Sequence, residues 1–310
     1  MTTLGAALLS VIAGAVVLGL KWVAYYLTGS VALYSDALES LVNVVAATAA
    51  WVALWVAGRP ADDNHAFGHT KAEYFSAVLE GALILLAAAT IVREAWGRLA
   101  HPQELEGLDL GLLVSVVASV INAGLGWYLL RRGKAERSPA LKADGLHILT
   151  DVVTTFGVLA GVGLAWATGW WILDPLLAIV VALNIVWAGS KLVRESLSGL
   201  MDEGLPGEEM TALQDALAEP LPGVLEIHDL RTRKAGPVTF VQLHLVVEGS
   251  RTVEHAHQLC DELEAKIAAR VPGAQVLIHV EPEAEAQHKA FVIRHRQGAE
   301  PGRPPLRERG

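Results

Sequence analysis

The 310-residue sequence has a single cysteine, Cys260. One thiol forms no intrachain disulfide and excludes a cysteine-based metal cluster. Charge is also scarce: charged residues make up 18% of the chain and the net charge is −9, so the basic footprint of a nucleic-acid binder is missing. No HExxH motif is present, and no Ser or Cys nucleophile is paired with a base, which argues against a membrane protease or another enzyme. The opening MTTLGAALLSVIAG has no charged leader region. Its apolar run continues too far for a cleaved signal peptide, so it reads as a first membrane span.

What the chain has is apolar sequence. It is 53% hydrophobic, with a mean hydropathy of +0.40. A bilayer-spanning helix needs about 20 mostly apolar residues. Six segments qualify, at roughly 5–28, 31–57, 74–96, 109–130, 140–168 and 171–191. The loop after the fourth, RRGKAER, is basic, and Arg59 and Lys71 follow the second, whereas Glu104, Glu106 and Asp109 follow the third. Basic short loops face the cytoplasm, so the sequence predicts a multi-pass protein of the inner (plasma) membrane with both termini cytoplasmic. Trp170 and Trp171 suit the outer interface.

Near 195–205 the composition turns soluble, which sets the expected domains at 1–200, 201–283 and a disordered tail at 284–310 rich in Pro, Arg and Glu. Residues 206–218 and 252–270 read as helices, and 224–233, 238–247 and 274–281 as strands, with AGP at 235–237 as a turn. The fold class is therefore a six-helix membrane domain followed by a C-terminal cytosolic α+β domain of αββαβ, ferredoxin-like order.

The membrane part contains an echo. Residues 32–45 read ALYSDALESLVNVV and residues 140–153 read ALKADGLHILTDVV. Asp36, Glu39 and Asn43 fall at i, i+3 and i+7, as do Asp144, His147 and Asp151, each set on one helix face. Ionisable groups inside a bilayer normally face the bundle interior or a water path. Glu39, Asn43, His147 and Asp151 together offer three oxygen donors and one imidazole, a set that can close around Zn²⁺ or a related ion. The structural alternative is hydrogen bonding that glues helices together. Asp36 and Asp144, one turn away, either support those groups or solvate a helix end.

Two further groups stand out. In the loop RPADDNHAFGHTKAEY, Asp62, His65 and His69 could bind a metal or simply be solvated. In the soluble part His228, His244 and His279 fall in strands, His257 falls in the following helix, and the alternation of residues puts His244, His279 and Glu281 on one sheet face.

Taken together, GSVALYSDALES, DDNHAFGHTKAEY, ADGLHILTDV and the series HDLRTRKAGP…HLVVE…IHVEP resemble the cation diffusion facilitator family, zinc/cadmium-type bacterial exporters in particular, over about residues 5–283. The resemblance implies a homodimer that exchanges cytosolic divalent metal for protons by alternating access, with no prosthetic group and the metal as both substrate and regulator. It implies a transport site at Glu39, Asn43, His147 and Asp151, a loop site at Asp62, His65 and His69, and a cytosolic dimer site at His228, His244, His257, His279 and Glu281. It also implies a charge interlock through Lys71 and Asp202. Zinc exporters of the family have Asp at both positions of the first pair, where this chain has Glu39 and Asn43. Neutral Asn43 leans toward Mn²⁺, and His147 leans back toward Zn²⁺. A membrane-tethered metal sensor is the competing reading, and the intramembrane quartet is the feature such a sensor would not need.

Overall fold

The computed structural model describes residues 2–28, 31–100, 110–170, 172–286 and 293–294. It divides into two compact units, Met1–Met201 and Asp202–Gly310.

The first unit is helical throughout: α1 (Thr3–Thr28), α2 (Val31–Ala57), α3 (Ala72–Ala100), α4 (Leu110–Ala135), α5 (Pro139–Thr168) and α6 (Leu173–Leu200). At about 1.5 Å per residue, each exceeds the roughly 30 Å hydrocarbon thickness of a bilayer. Within them, Thr3–Val23, Ser40–Ala57, Ala72–Gly97 and Pro175–Leu200 are apolar enough to span by composition alone. Along α5, the apolar run is broken by Lys142, Asp144 and Asp151, the groups that make it chemically interesting.

Helix pairing follows the echo: α1 packs on α2, α4 on α5, and α3 on α6. Lipid tails are as apolar as leucine, so membrane helices associate by close packing at small residues. At Gly145 a Cβ would sit 2.8 Å from the Leu130 backbone nitrogen and 3.0 Å from the Gly126 carbonyl oxygen. Gly126 in turn has no room for a Cβ against Leu149, nor Gly133 against the Lys142 backbone. The α4–α5 seam is thus backbone against backbone. The start of α5 is fixed by sequence. Pro139 suits the first helical position, and the Ser138 hydroxyl accepts from the Leu141 N–H at 3.2 Å as an N-cap. The same hydroxyl donates to the Glu73 carboxylate on α3.

The second unit has α7 (Gly207–Ala218), β1 (Val224–Ala235), β2 (Val238–Val247), α8 (Val253–Arg270) and β3 (Ala274–Pro282), the expected αββαβ order, plus a short β4 (Ile293–Arg294). The sheet order is β3-β2-β1-β4. A tight turn at Gly236, φ 60°, joins the antiparallel β1 and β2. In contrast, β2 and β3 run parallel, a pairing that needs a crossover, and α8 supplies it. Thr252 caps α8 by accepting from the His255 N–H at 3.2 Å. One face of the sheet is apolar: Val241, Leu243 and Leu245 meet Leu213 and Leu217 of α7 and Leu259, Leu263 and Ile267 of α8. Truncating one of these leucines to alanine costs about 2–5 kcal/mol. The other face is left for chemistry.

The tail corrects one expectation. It is not disordered throughout from residue 284. Glu283–Glu285 forms a 3-10 turn, and Ile293–Arg294 pairs antiparallel with β1 at Ile227 and Glu226. An open strand edge presents unpaired backbone groups that recruit extended chain, and Ile293–Arg294 supplies it. Residues 287–292 and 295–310 lie outside the described residues.

Candidate functional site

Within the membrane unit, α2 and α5 bring three of the four quartet residues together. Asn43 Oδ1 lies 3.0 Å from His147 Nε2, and the Asn43 amide donates to Asp151 Oδ2. The amide therefore bridges imidazole and carboxylate. With Oδ1 as acceptor, the proton of neutral His147 belongs on Nε2, leaving Nδ1, which has no hydrogen-bond partner. Only 4% of His147 is exposed. Glu39 shares α2 with Asn43, but its side chain, like that of Asp36, lies outside the described residues. Asp144 is 1% exposed, so it is not a solvated helix end.

The loop between α2 and α3 gathers Asp62, His65 and His69 into a group with metal-ligand spacing. Asp62 Oδ1 accepts from the His65 N–H at 2.7 Å and the Asn64 N–H at 3.0 Å, so the loop backbone aims the carboxylate. The His65 ring at 3.0 Å holds the Asp62 carboxyl below its ordinary value. His69 Nε2 approaches the other oxygen at 3.4 Å, and the two imidazoles lie 4.3 Å apart between centroids.

In the soluble unit, strand register builds the third group. His228 on β1 pairs with His244 on β2, and His244 pairs with His279 on β3. Three imidazoles thus form one row across the sheet, with centroids 5.2 and 4.9 Å apart. Glu281, two residues beyond His279 and so on the same face, reaches all three: His228 Nε2 at 3.2 Å, His244 Nδ1 at 2.9 Å and His279 Nε2 at 3.7 Å. His228, His244 and Glu281 have the spacing of a metal-ligand set. Both ring nitrogens of His228, Nδ1 of His244 and Oε2 of Glu281 are buried with no well-formed hydrogen bond. Buried polar atoms normally find partners. Nitrogen and oxygen donors that converge without satisfying one another fit a bound cation such as tetrahedral Zn²⁺.

His257 stands apart. It is exposed on α8, 3.9 Å from Asp261, and does not join the row within one chain. Two residues were not anticipated. Glu226, buried, lies 3.2 Å from His228 Nδ1, and Asp229 lies 3.6 Å from His244 Nε2. A signal for Glu226 was available, since it sits two residues from His228 and shares its face. Asp229 has φ 49° at a register shift between His228 and Arg231, which no alternation rule would reveal. Another omission lies on α3. Glu73, Ser76 and Glu80 repeat the i, i+3, i+7 spacing of the two echo helices and are all buried. Lys71 donates to the Leu200 carbonyl at 3.3 Å within the membrane unit, and Asp202 accepts from Arg233 at 3.2 Å within the soluble unit.

Comparison with known proteins agrees with this division. Residues 7–201 match the cation efflux transmembrane domain, and residues 205–283 match the cytoplasmic domain of cation efflux proteins. A Synechocystis protein described as an uncharacterized transporter is 44% identical over 276 residues, 89% of each chain. The cation-efflux pump FieF of an Escherichia coli strain is 34% identical over 266 residues, 85% of this chain and 87% of its own. A solved zinc form of CzrB, described as a zinc transporter, is 53% identical over 28% of this chain and 99% of its own, with a TM-score of 0.27; at that score the likeness says nothing about geometry. A transmembrane match over most of the chain, joined to the matching cytoplasmic domain, makes this protein a member of the cation diffusion facilitator family, a divalent-metal efflux transporter and not an enzyme.

Proposed function

We propose that the protein exports Zn²⁺, with Cd²⁺ as a related cargo, from the cytoplasm in exchange for protons, and that Glu39, Asn43, His147 and Asp151 form the transport site. The observation that carries the reading is His147, a buried imidazole on α5 held against Asn43 and one turn from Asp151. An imidazole within an oxygen set suits Zn²⁺, whereas an all-oxygen set suits harder ions. Relatives named as a cation-efflux pump and a zinc transporter support it.

Ligands must be deprotonated to hold a metal, so loading the site releases protons and reprotonation favours release. That gives exchange a chemical basis in His147 and the carboxylates. The protein works as a homodimer in the inner membrane with both termini cytoplasmic. Asp62, His65 and His69 form a weak loading site. His228, His244, His279 and Glu281 form a regulatory site, with exposed His257 assigned to the contact between copies.

Metal uptake and proton flux in proteoliposomes, run in parallel with zinc, cadmium, manganese, cobalt and iron, test the reading. Zinc should move with counterflow of protons. His147→Asp should shift the zinc-to-manganese preference by about tenfold toward manganese, since it trades nitrogen for oxygen. Unchanged relative selectivity would remove His147 from the site, and metal flux without proton flux would remove the exchange.

A further inference from the structure

Three helices of the membrane unit repeat one spacing toward their C-terminal ends. Trp55 on α2 is followed four residues later by Arg59, Trp127 on α4 by Arg131, and Trp187 on α6 by Lys191. A helical side chain leans toward the turn before it, so a cation at i+4 falls back over a ring at i. The Arg59 guanidinium carbon lies 4.0 Å from the centre of the Trp55 ring, that of Arg131 lies 5.5 Å from Trp127, and Lys191 Nζ lies 5.6 Å from Trp187. All three rings and all three cations are exposed.

Consecutive spans run in opposite directions, so the ends of α2, α4 and α6 share one side, the side on which α6 continues into the second unit. The heights agree as well. Arg59 comes just beyond the apolar span Ser40–Ala57. At about 1.5 Å per residue, Arg131 stands about 32 Å from the start of α4 and Lys191 about 27 Å from the start of α6, close to the roughly 30 Å of a bilayer's hydrocarbon. Each cation is therefore placed where hydrocarbon gives way to headgroups. At the opposite ends Trp96 and Trp170 are exposed too, but among the described residues no cation stacks on either, and they suit a plain aromatic belt.

The charge of the three cations is left available. Among the described residues neither Arg59 nor Arg131 pairs with a carboxylate. Asp62, the first acid after Arg59, is turned to His65 and His69, and Glu136 pairs with Arg132. Lys191 has only Glu195, at 3.8 Å between exposed groups, a contact that contributes little in water.

We propose that these three tryptophan–cation pairs bind the phosphate groups of anionic glycerophospholipids in the leaflet on that side. The ring sits at the interface, where tryptophan gathers, and holds the cation at headgroup height. Stacking occupies the face of a guanidinium and leaves its N–H edge for phosphate oxygens, which Arg59 and Arg131 can take bidentately and Lys191 as a point charge. Inorganic phosphate has the same oxygens but no acyl chains. Val52, Val120 and Leu183, one or two turns before the rings and exposed, continue each stripe toward the bilayer centre and give acyl chains a surface. In the orientation proposed above this is the cytoplasmic leaflet, and the lipid sites do not depend on which metal is moved.

Electron spin resonance of spin-labelled lipids, on full-length protein in phosphatidylcholine vesicles, tests this. Labelled phosphatidylglycerol should be held at the protein surface about fivefold more strongly than labelled phosphatidylcholine, the order expected of one cation beside an anionic surface. Arg59→Gln with Arg131→Gln and Lys191→Gln should abolish the preference. Trp55→Leu with Trp127→Leu and Trp187→Leu keeps every charge and should still lower it by about half, since the ring contributes to holding the cation. Lys134→Gln with Arg194→Gln removes two exposed cations that stack on no described ring, and should leave most of it. Inorganic phosphate at constant ionic strength should not displace the label. No preference in the wild type overturns the proposal. So does a preference that the Lys134 and Arg194 substitutions abolish as fully as the other three, which would reflect net charge, or one that loss of the rings does not move. Displacement by inorganic phosphate would make the cations sites for a soluble anion. A wild type without preference, whose triple charge variant dissociates, would place these faces against a second copy; either result also ends the proposal.

Discussion

The intramembrane cluster and the cytoplasmic histidine row use similar side chains to opposite effect. In the membrane, Asn43 gives its oxygen to His147 and its amide protons to Asp151, so an empty site largely satisfies itself. In the sheet, Glu281 is surrounded by three imidazoles, and several of the facing atoms have no well-formed hydrogen bond. Leaving a buried polar atom unpaired costs about 1–3 kcal/mol. The first arrangement is cheap to empty, which suits the transport role proposed for it. The second is costly to empty, which suits the regulatory role proposed for it. The difference lies in the scaffold: two helices with an adaptable amide between them, against three hydrogen-bonded strands in fixed register.

The sharpest way to break this contrast is Asp151→Ala. It removes a charged ligand and the acceptor for the Asn43 amide. Even outer-shell changes around metal sites cost about 10–100-fold, so zinc uptake into vesicles should fall by at least about 100-fold while helical content persists. Near wild-type uptake would mean that the buried amide bridge only holds α2 to α5.

Next comes His244→Ala with His279→Ala, measured in the full chain carrying Asp151→Ala so that the sheet site is read alone. Calorimetric zinc affinity should drop by about 100-fold or more, with the apolar face of the sheet untouched. Because metal binding displaces protons from its ligands, affinity at this site in the Asp151→Ala protein should also weaken on acidification. An affinity indifferent to the two histidines would make the row incidental.

The smallest effect is expected in the loop. The His65 ring holds the Asp62 carboxyl low, so the contact is present above the ordinary carboxylate range and fades as pH falls through the lowered value. Asp62 is well exposed, and the effect on stability should be slight. Asp62→Asn should lower uptake a few-fold at limiting zinc and leave it unchanged at saturating zinc. A large loss at saturation would promote the loop from loading to transport.

Much of this was legible before any coordinates. The repeated i, i+3, i+7 pattern pointed to Asn43, His147 and Asp151 because a helix places those positions on one stripe, and strand alternation put His244, His279 and Glu281 on one face. What escaped has physical causes. His228 was expected in a strand and, by resemblance, in the site; only its pairing with His244 escaped, because the register is irregular just beyond it. Glu73, Ser76 and Glu80 follow the same helical spacing, but the residues around them echo no other segment, so no repeat marks them. β4 sits in a tail whose composition reads as unstructured, and strand pairing is not a property of composition. His257 shares a domain with the row, yet its helix presents it elsewhere.

The parallel register of β2 and β3 has one more consequence. His279 lies opposite His244, and Glu281 lies opposite Val246. Side chains alternate with period two, so sliding β3 by a single residue would carry His279 and Glu281 through to the greasy side and bring Ile278 out into their place. The imidazole row thus serves as an alignment mark. A chain that closes its sheet one notch out of step loses every ligand β3 contributes, and a metal ion arriving during folding would favour only the copy assembled in step.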